Sequence, residues 1–105
     1  VMGDWNGNGV TDIGIWRPSN RMFYLDANGS RTWTAGDVVT APFGLSTDRP
    51  VVGDWNANGV TDIGIWRPSS RVFYLDANGS RTWNAGDFTS VPFGLSSDRP
   101  IAGAW

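Results

Sequence analysis

The chain has 105 residues and a net charge of −2, made up entirely of 8 Arg and 10 Asp, with no Lys, Glu, Gln, His or Cys. Lack of Cys and His excludes a disulfide framework, thiol chemistry and imidazole as base or ligand, so any bound metal is a hard cation held by oxygen. The charge forms no run of one sign that would suit nucleic acid or an anionic membrane, and no apolar stretch reaches the length that membrane insertion needs.

Residues 1–50 align with 51–100 without a gap and differ at ten positions, and residues 101–105 begin a third copy. A period of this size belongs to a propeller blade or a solenoid rung, a unit that cannot bury its apolar face alone. The residues between turn signals are Trp, Phe, Val and Ile, and the turns are written in Gly, Asn, Asp, Ser and Thr, which predicts an all-β fold.

In chain order, the second copy predicts a strand over 49–55, a hairpin loop through Asn58-Gly59, and a partner strand over 63–68. A turn at Ser69-Ser70 leads to a third strand over 72–75 and a tight turn at Asp76-Ala77-Asn78-Gly79-Ser80, because Asn-Gly favours positive φ. A fourth segment over 81–93 is expected to bend at Gly86-Asp87, with Pro92 placing it at an edge because proline donates nothing to a ladder. The first copy repeats this over 1–43. Four antiparallel strands per period match a propeller blade better than a parallel rung. The exchanges Met22/Val72, Val38/Phe88 and Ala41/Val91 are apolar, as strand positions require. The domain reading is one blade over 1–50, a second over 51–100, and the first strand alone of a third over 101–105. Without a signal peptide, the sequence reads as a mature segment or an excised piece.

Chemistry concentrates in the loop Asp-Trp-Asn-x-Asn-Gly-Val-Thr-Asp. Side-chain oxygens stand at its first, third, fifth and ninth positions, Asp4, Asn6, Asn8 and Asp12, then Asp54, Asn56, Asn58 and Asp62, while Val10 and Val60 can offer a carbonyl. Calcium takes six to eight oxygens, and alternating donors on a curled loop supply them where Gly9 or Gly59 permits the turn. Ile15 and Ile65 stand where an EF-hand has its Glu. With two carboxylates per loop, affinity is expected at the weak, roughly 0.1–1 mM end of calcium modules. The competing reading is an Asx-type turn with no ion. The shorter Asp26–Ser30 segment and its copy at 76–80 read as hairpin turns.

On Phe43-Gly44 and Phe93-Gly94, on Gly-Asp-Trp-Asn-x-Asn-Gly-Val-Thr-Asp, and on the following Ile-Gly-Ile-Trp-Arg-Pro-Ser, the chain resembles the FG-GAP-like, integrin-α-like repeats of bacteria and archaea. The resemblance covers the whole period, including Phe-Gly-Leu-Ser-x-Asp-Arg-Pro, and implies a β-propeller blade. It also implies calcium in a loop Asp-x-Asp-x-Asp-Gly-x-x-Asp, which falls on Asp4, Asn6, Asn8, Asp12 and their copies. Asn at the third and fifth positions departs from that pattern and lowers the expected affinity. Ala104 stands where a third loop would need its Asp, so no third calcium loop is expected.

Two blades leave two uncovered faces, expected to carry several of Trp5, Trp16, Trp33, Trp55, Trp66 and Trp83. Head-to-tail association into a ring covers both faces, three chains giving six blades and four giving eight. Val1–Trp5 and Ile101–Trp105 fill the same slot and would compete in such a ring. The leading expectation is a non-enzymatic, calcium-stabilised scaffold or adhesive module at the cell surface or outside the cell. A lectin-like module is the alternative, since Trp and Tyr stack on sugars and Asp, Asn and Arg bond their hydroxyls. A glycosidase acting through an Asp pair such as Asp26 and Asp37 is disfavoured, because turns account for those residues. The near-identity of the copies fits recent duplication and deliberate design of a two-repeat fragment equally.

Overall fold

A computed structural model describes residues 1–103 of the chain. It contains two four-stranded antiparallel sheets and, among the described residues, no helix. The first repeat forms β1 (Met2–Gly3), β2 (Asp12–Arg17), β3 (Met22–Leu25) and β4 (Val38–Val39). The second forms β5 (Arg49–Gly53), β6 (Asp62–Arg67), β7 (Val72–Leu75) and β8 (Phe88–Thr89). Strand order within each sheet follows chain order, so each repeat is a simple meander. The all-β expectation is met at this level.

The period-2 alternation of a strand gives each sheet two different faces. On β2 one face carries Ile13, Ile15 and Arg17, with Tyr24 opposite Ile15. The other carries Gly14 and Trp16, opposite Leu25 and Phe23. Gly14 is required by the packing on that face. A Cβ there would sit 3.0 Å from the Leu25 side chain and 3.2 Å from the Trp5 ring. The Trp5 indole crosses this gap and donates to the Ile13 carbonyl at 3.0 Å.

The tryptophan face of the first sheet packs on the isoleucine face of the second. Trp5, Trp16, Phe23, Leu25 and Phe43 form one buried cluster with Ile63 and Ile65. Apolar burial of this kind is the main favourable term in folding. Here it joins two units that share few backbone bonds.

Three expectations are adjusted. The fourth segment is a strand only over Val38–Val39 and Phe88–Thr89. Arg31 and Arg81, at φ 61 and 63, hold the preceding stretch in a turn. Ala41 and Val91 lie beyond the strand, because the prolines that follow cannot continue the ladder and single bonds from Phe43 N to Arg21 O and from Phe93 N to Arg71 O replace it. Trp5, Trp16 and Trp66 are buried within the chain, while Trp33 and Trp83 are exposed. Ile101–Gly103 form no strand, and Ala104 and Trp105 lie outside the described residues.

Candidate functional site

The Asp4–Asp12 loop is built on its own side chains. Asp4 accepts from Asn8 N at 3.1 Å through Oδ1 and from Gly9 N at 2.8 Å through Oδ2. Asn6 Oδ1 also accepts from Asn8 N, and Asn8 Oδ1 from Val10 N. Gly9 is at φ 84 with nothing within 4 Å of where a Cβ would stand, so conformation alone selects glycine there. The second loop repeats the pattern, with Asp54 holding Asn58 N and Gly59 N at 3.0 and 2.8 Å and Asn58 holding Val60 N. Ala57 takes φ 60 where the first copy has Gly7 at 73, a left-handed conformation that a Cβ disfavours.

The shorter Asp-Asn-Gly turn lies against the long one. Asn6 Nδ2 donates to Ala27 O at 2.7 Å, and Asn56 Nδ2 to Ala77 O at 2.9 Å. A Cβ on Gly29 would stand 3.3 Å from Asp12 Oδ1, and one on Gly79 the same distance from Asp62 Oδ1. Asp26 and Asp76 are spent on local bonds, accepting from Arg31 N at 2.7 Å and Arg81 N at 2.6 Å. Asp37 and Asp87 accept from Thr34 N and Asn84 N, each leaving its Oδ1 buried without a partner.

The structure therefore brings Asp4, Asn6 and Asn8, and likewise Asp54, Asn56 and Asn58, into one curl through bonds to the loop's own backbone, while Asp12 and Asp62 stand at the start of β2 and β6 beside the shorter turn. Val10 is exposed and Val60 half-buried, Val60 lying against Gly7 so that the two loops adjoin. Asp12 is 7% exposed and its Oδ2 has no hydrogen-bond partner. A buried carboxylate oxygen without a donor calls for a proton or a cation. The donor set is all oxygen and fits a calcium-type ion, with Asp4, Asn6, Asn8 and Asp12, or Asp54, Asn56, Asn58 and Asp62, as the side chains that would hold it. Among the described residues no three His, Cys, Asp or Glu side chains form a metal cluster. Each loop brings two carboxylates, and the balance of its donors are amide and carbonyl oxygens.

Asp62 is pushed up to about 6 by burial, with Asp76 and Asp54 adding to the rise and the Trp55 N–H and Arg81 opposing it. Burial also raises Asp76, against the Arg81 N–H, with Asp87 reinforcing the rise.

The second region of interest lies between the repeats. Asp48, buried, takes the Arg67 guanidinium in two bonds, from Nε at 3.1 Å and Nη2 at 3.0 Å. Asp4 and Thr61 exchange bonds, Asp4 N to Thr61 Oγ1 and Thr61 N to Asp4 O, both 2.8 Å. Arg81 donates to Trp5 O at 2.9 Å. A cavity of about 230 Å³ at this seam is lined by Phe43, Gly44, Ile65, Arg67, Tyr74 and Trp83. Neither Asp48 nor Arg67 stands out in the sequence as part of a site. The available signal is that each sits at a fixed place in the repeat, one in the link and one at a strand end. Compared with known protein families, curated proteins and solved structures, the chain shows no significant match.

Proposed function

We propose that this chain is a non-enzymatic β-propeller module, two FG-GAP-like blades that associate head to tail with further copies into a closed structural or adhesive ring outside the cell. The observation that carries the reading is the relation of the two sheets. The first repeat's tryptophan face and link cover the second repeat's isoleucine face, which leaves the first repeat's isoleucine face and the second repeat's link uncovered. Ile63 and Ile65 are fully buried, whereas Ile13 and Ile15 are 47% and 49% exposed. Phe43 is 2% exposed, whereas Phe93 is 73% exposed. A contact between unlike faces closes into a ring or runs on as a fibre. Three chains give six blades, and four give eight.

Calcium in the two Asp-Asn-Gly loops is part of the proposal. Its support is the run of oxygen donors in both loops and, in the first loop, the unpartnered Asp12 Oδ2; in the second the matching Asp62 Oδ2 accepts from Trp55 N at 3.3 Å. The non-enzymatic reading is supported by the engagement of Asp26 and Asp37 in turn hydrogen bonds. Native mass spectrometry in calcium tests both parts. A closed trimer or tetramer with about two ions per chain is expected. A metal-free monomer would overturn the assembly and the ion together.

A lectin-like module is the second reading. It is favoured by Trp83, half exposed at the seam cavity with its ring edge-on to Tyr74 at 5.7 Å and with Arg67 beside it. Retention on an immobilised sugar, with a change in Trp fluorescence, would support it; neither response supports a pure scaffold.

A further inference from the structure

We propose that the link closing the second repeat, Phe93 to Asp98, is a docking element for the isoleucine face of another copy of this chain, locked by a two-bond ion pair between Asp98 and Arg17 of that copy. The inference rests on the head-to-tail reading and specifies its contact. The template is inside the molecule. Asp48 of the first link grips Arg67 of the second sheet, Gly44 lies against Ile65, and Phe43 sits edge-on to Trp83 at 5.9 Å.

The free ends already hold the matching shapes. Asp48 accepts from Leu45 N at 2.7 Å, and Asp98 from Leu95 N at 2.8 Å. Gly44 and Gly94 share the left-handed turn, at φ 84 and 89. Arg67 lies 4.5 Å over the Tyr74 ring, and Arg17 lies 4.3 Å over Tyr24. Among the described residues the one ion pair is Arg67 with Asp48, so Asp98 and Arg17 carry complementary charges that the single chain leaves unmatched. Elements already in their bound shape lose little freedom on association.

The receiving surface is also present. A recess of about 200 Å³ is lined by Ile13, Ile15, Tyr24, Arg31 and Trp33 among others. It is the counterpart of the seam into which Phe43 reaches, and Phe93 is the side chain that fills it. Backbone register agrees. β5 pairs with β6 from Arg49 opposite Trp66 to Gly53 opposite Asp62, whereas β1 covers only Ile13 and Asp12 of β2, with Val1 bonded to Gly14. The edge left open at Ile15 and Trp16 is where Pro100 and Arg99 of the docked copy arrive.

The test uses full-length chains carrying Asp98→Arg, Arg17→Asp, or both, with oligomeric state read by native mass spectrometry and the fold checked by circular dichroism. Asp98→Arg also removes the bond to Leu95 N, so the informative quantity is the coupling between the two changes. Each single variant is expected to associate at least tenfold more weakly than the double variant. Wild-type and double-variant chains, refolded together, are expected to sort into unmixed rings. Rings that persist in the single variants, no recovery in the double variant, or free mixing would each overturn the ion pair while leaving head-to-tail assembly standing. A wild-type monomer would overturn both. If either charge reversal impairs folding, Asp98→Asn and Arg17→Gln replace the reversals, and additive effects of the two on association would overturn the pair.

Discussion

The two repeats share all but ten of their residues and yet are packed differently. In β6 every residue from Asp62 to Trp66 is buried, while in β2 the same five residues alternate between covered and open. The links differ in the opposite sense, Phe43 and Asp48 being buried and Phe93 and Asp98 open. Identical local sequence therefore gives identical strands and turns, and the neighbour decides burial. The first repeat has nothing on its isoleucine face, and the second repeat's link, which lies beside its own Trp66 and Phe73, meets no neighbouring isoleucine face.

The sharpest way to probe this contrast is to make the same change in both copies. In the unassociated chain, Phe43→Ala is expected to cost about 3–5 kcal/mol by urea unfolding, the range for a buried aromatic. Phe93→Ala is expected to stay within about 0.5 kcal/mol, as at an exposed site. Equal losses would mean that the two links are equally packed. Asp48→Asn comes next. It leaves Arg67 half of a partly buried pair and should cost about 3 kcal/mol or somewhat less, whereas Asp98→Asn should be close to neutral in a monomer.

The Asp-Asn-Gly loops, proposed to take calcium, are a place where the copies should agree. Asp54→Ala with Asp62→Ala is expected to lower thermal stability in calcium by more than in chelator, the difference being about 1.4 kcal/mol when calcium is tenfold above its Kd. Asp4→Ala with Asp12→Ala should behave alike. An equal loss in both conditions would assign the loops a turn role alone.

A smaller effect is expected from pH in the metal-free protein. Asp62 has a folded value of about 6 against an ordinary 3.8, so its ionised form is the one that folding disfavours. Its contribution is then fully present below about 3.8 and is lost as pH rises through about 6. Asp76, raised in the same direction, adds to that slope. Chelator-treated protein should lose melting temperature across this interval, and Asp62→Asn should flatten the curve; an unchanged slope would remove Asp62 as its source. The smallest effect is expected at the end of the chain. A chain ending at Pro100 should form the same oligomer as the full chain, because Val1–Gly3 already pair with β2 where Ile101–Gly103 would go. Loss of the oligomer would mean that the tail strand takes that place.

Much of the architecture was legible in one period of sequence. The Asp-Asn-Gly loops, the Ile-Gly-Ile-Trp-Arg strand and the turn at Asp76–Ser80 all appear where turn chemistry and alternation put them. The fourth strand was overextended, because the reading of 81–93 had only propensity to go on and could not see Asp87 bound to Asn84 N or the chain leaving the ladder at Pro92. At the candidate site the oxygen donors were readable from their spacing. That Asp12 would be buried with an unpartnered oxygen was not, since it depends on the Asp26–Ser30 turn folding over it.

Sequence by itself determined that this is a repeated, all-β chain whose charged side chains are Asp and Arg alone, because composition and turn signals act within a few residues. Which isoleucines are covered, which link is seated, and that Asp48 finds Arg67 across 19 residues were decided by tertiary structure. Those outcomes depend on one sheet lying against another, and nothing in a residue's own neighbourhood along the chain carries that information.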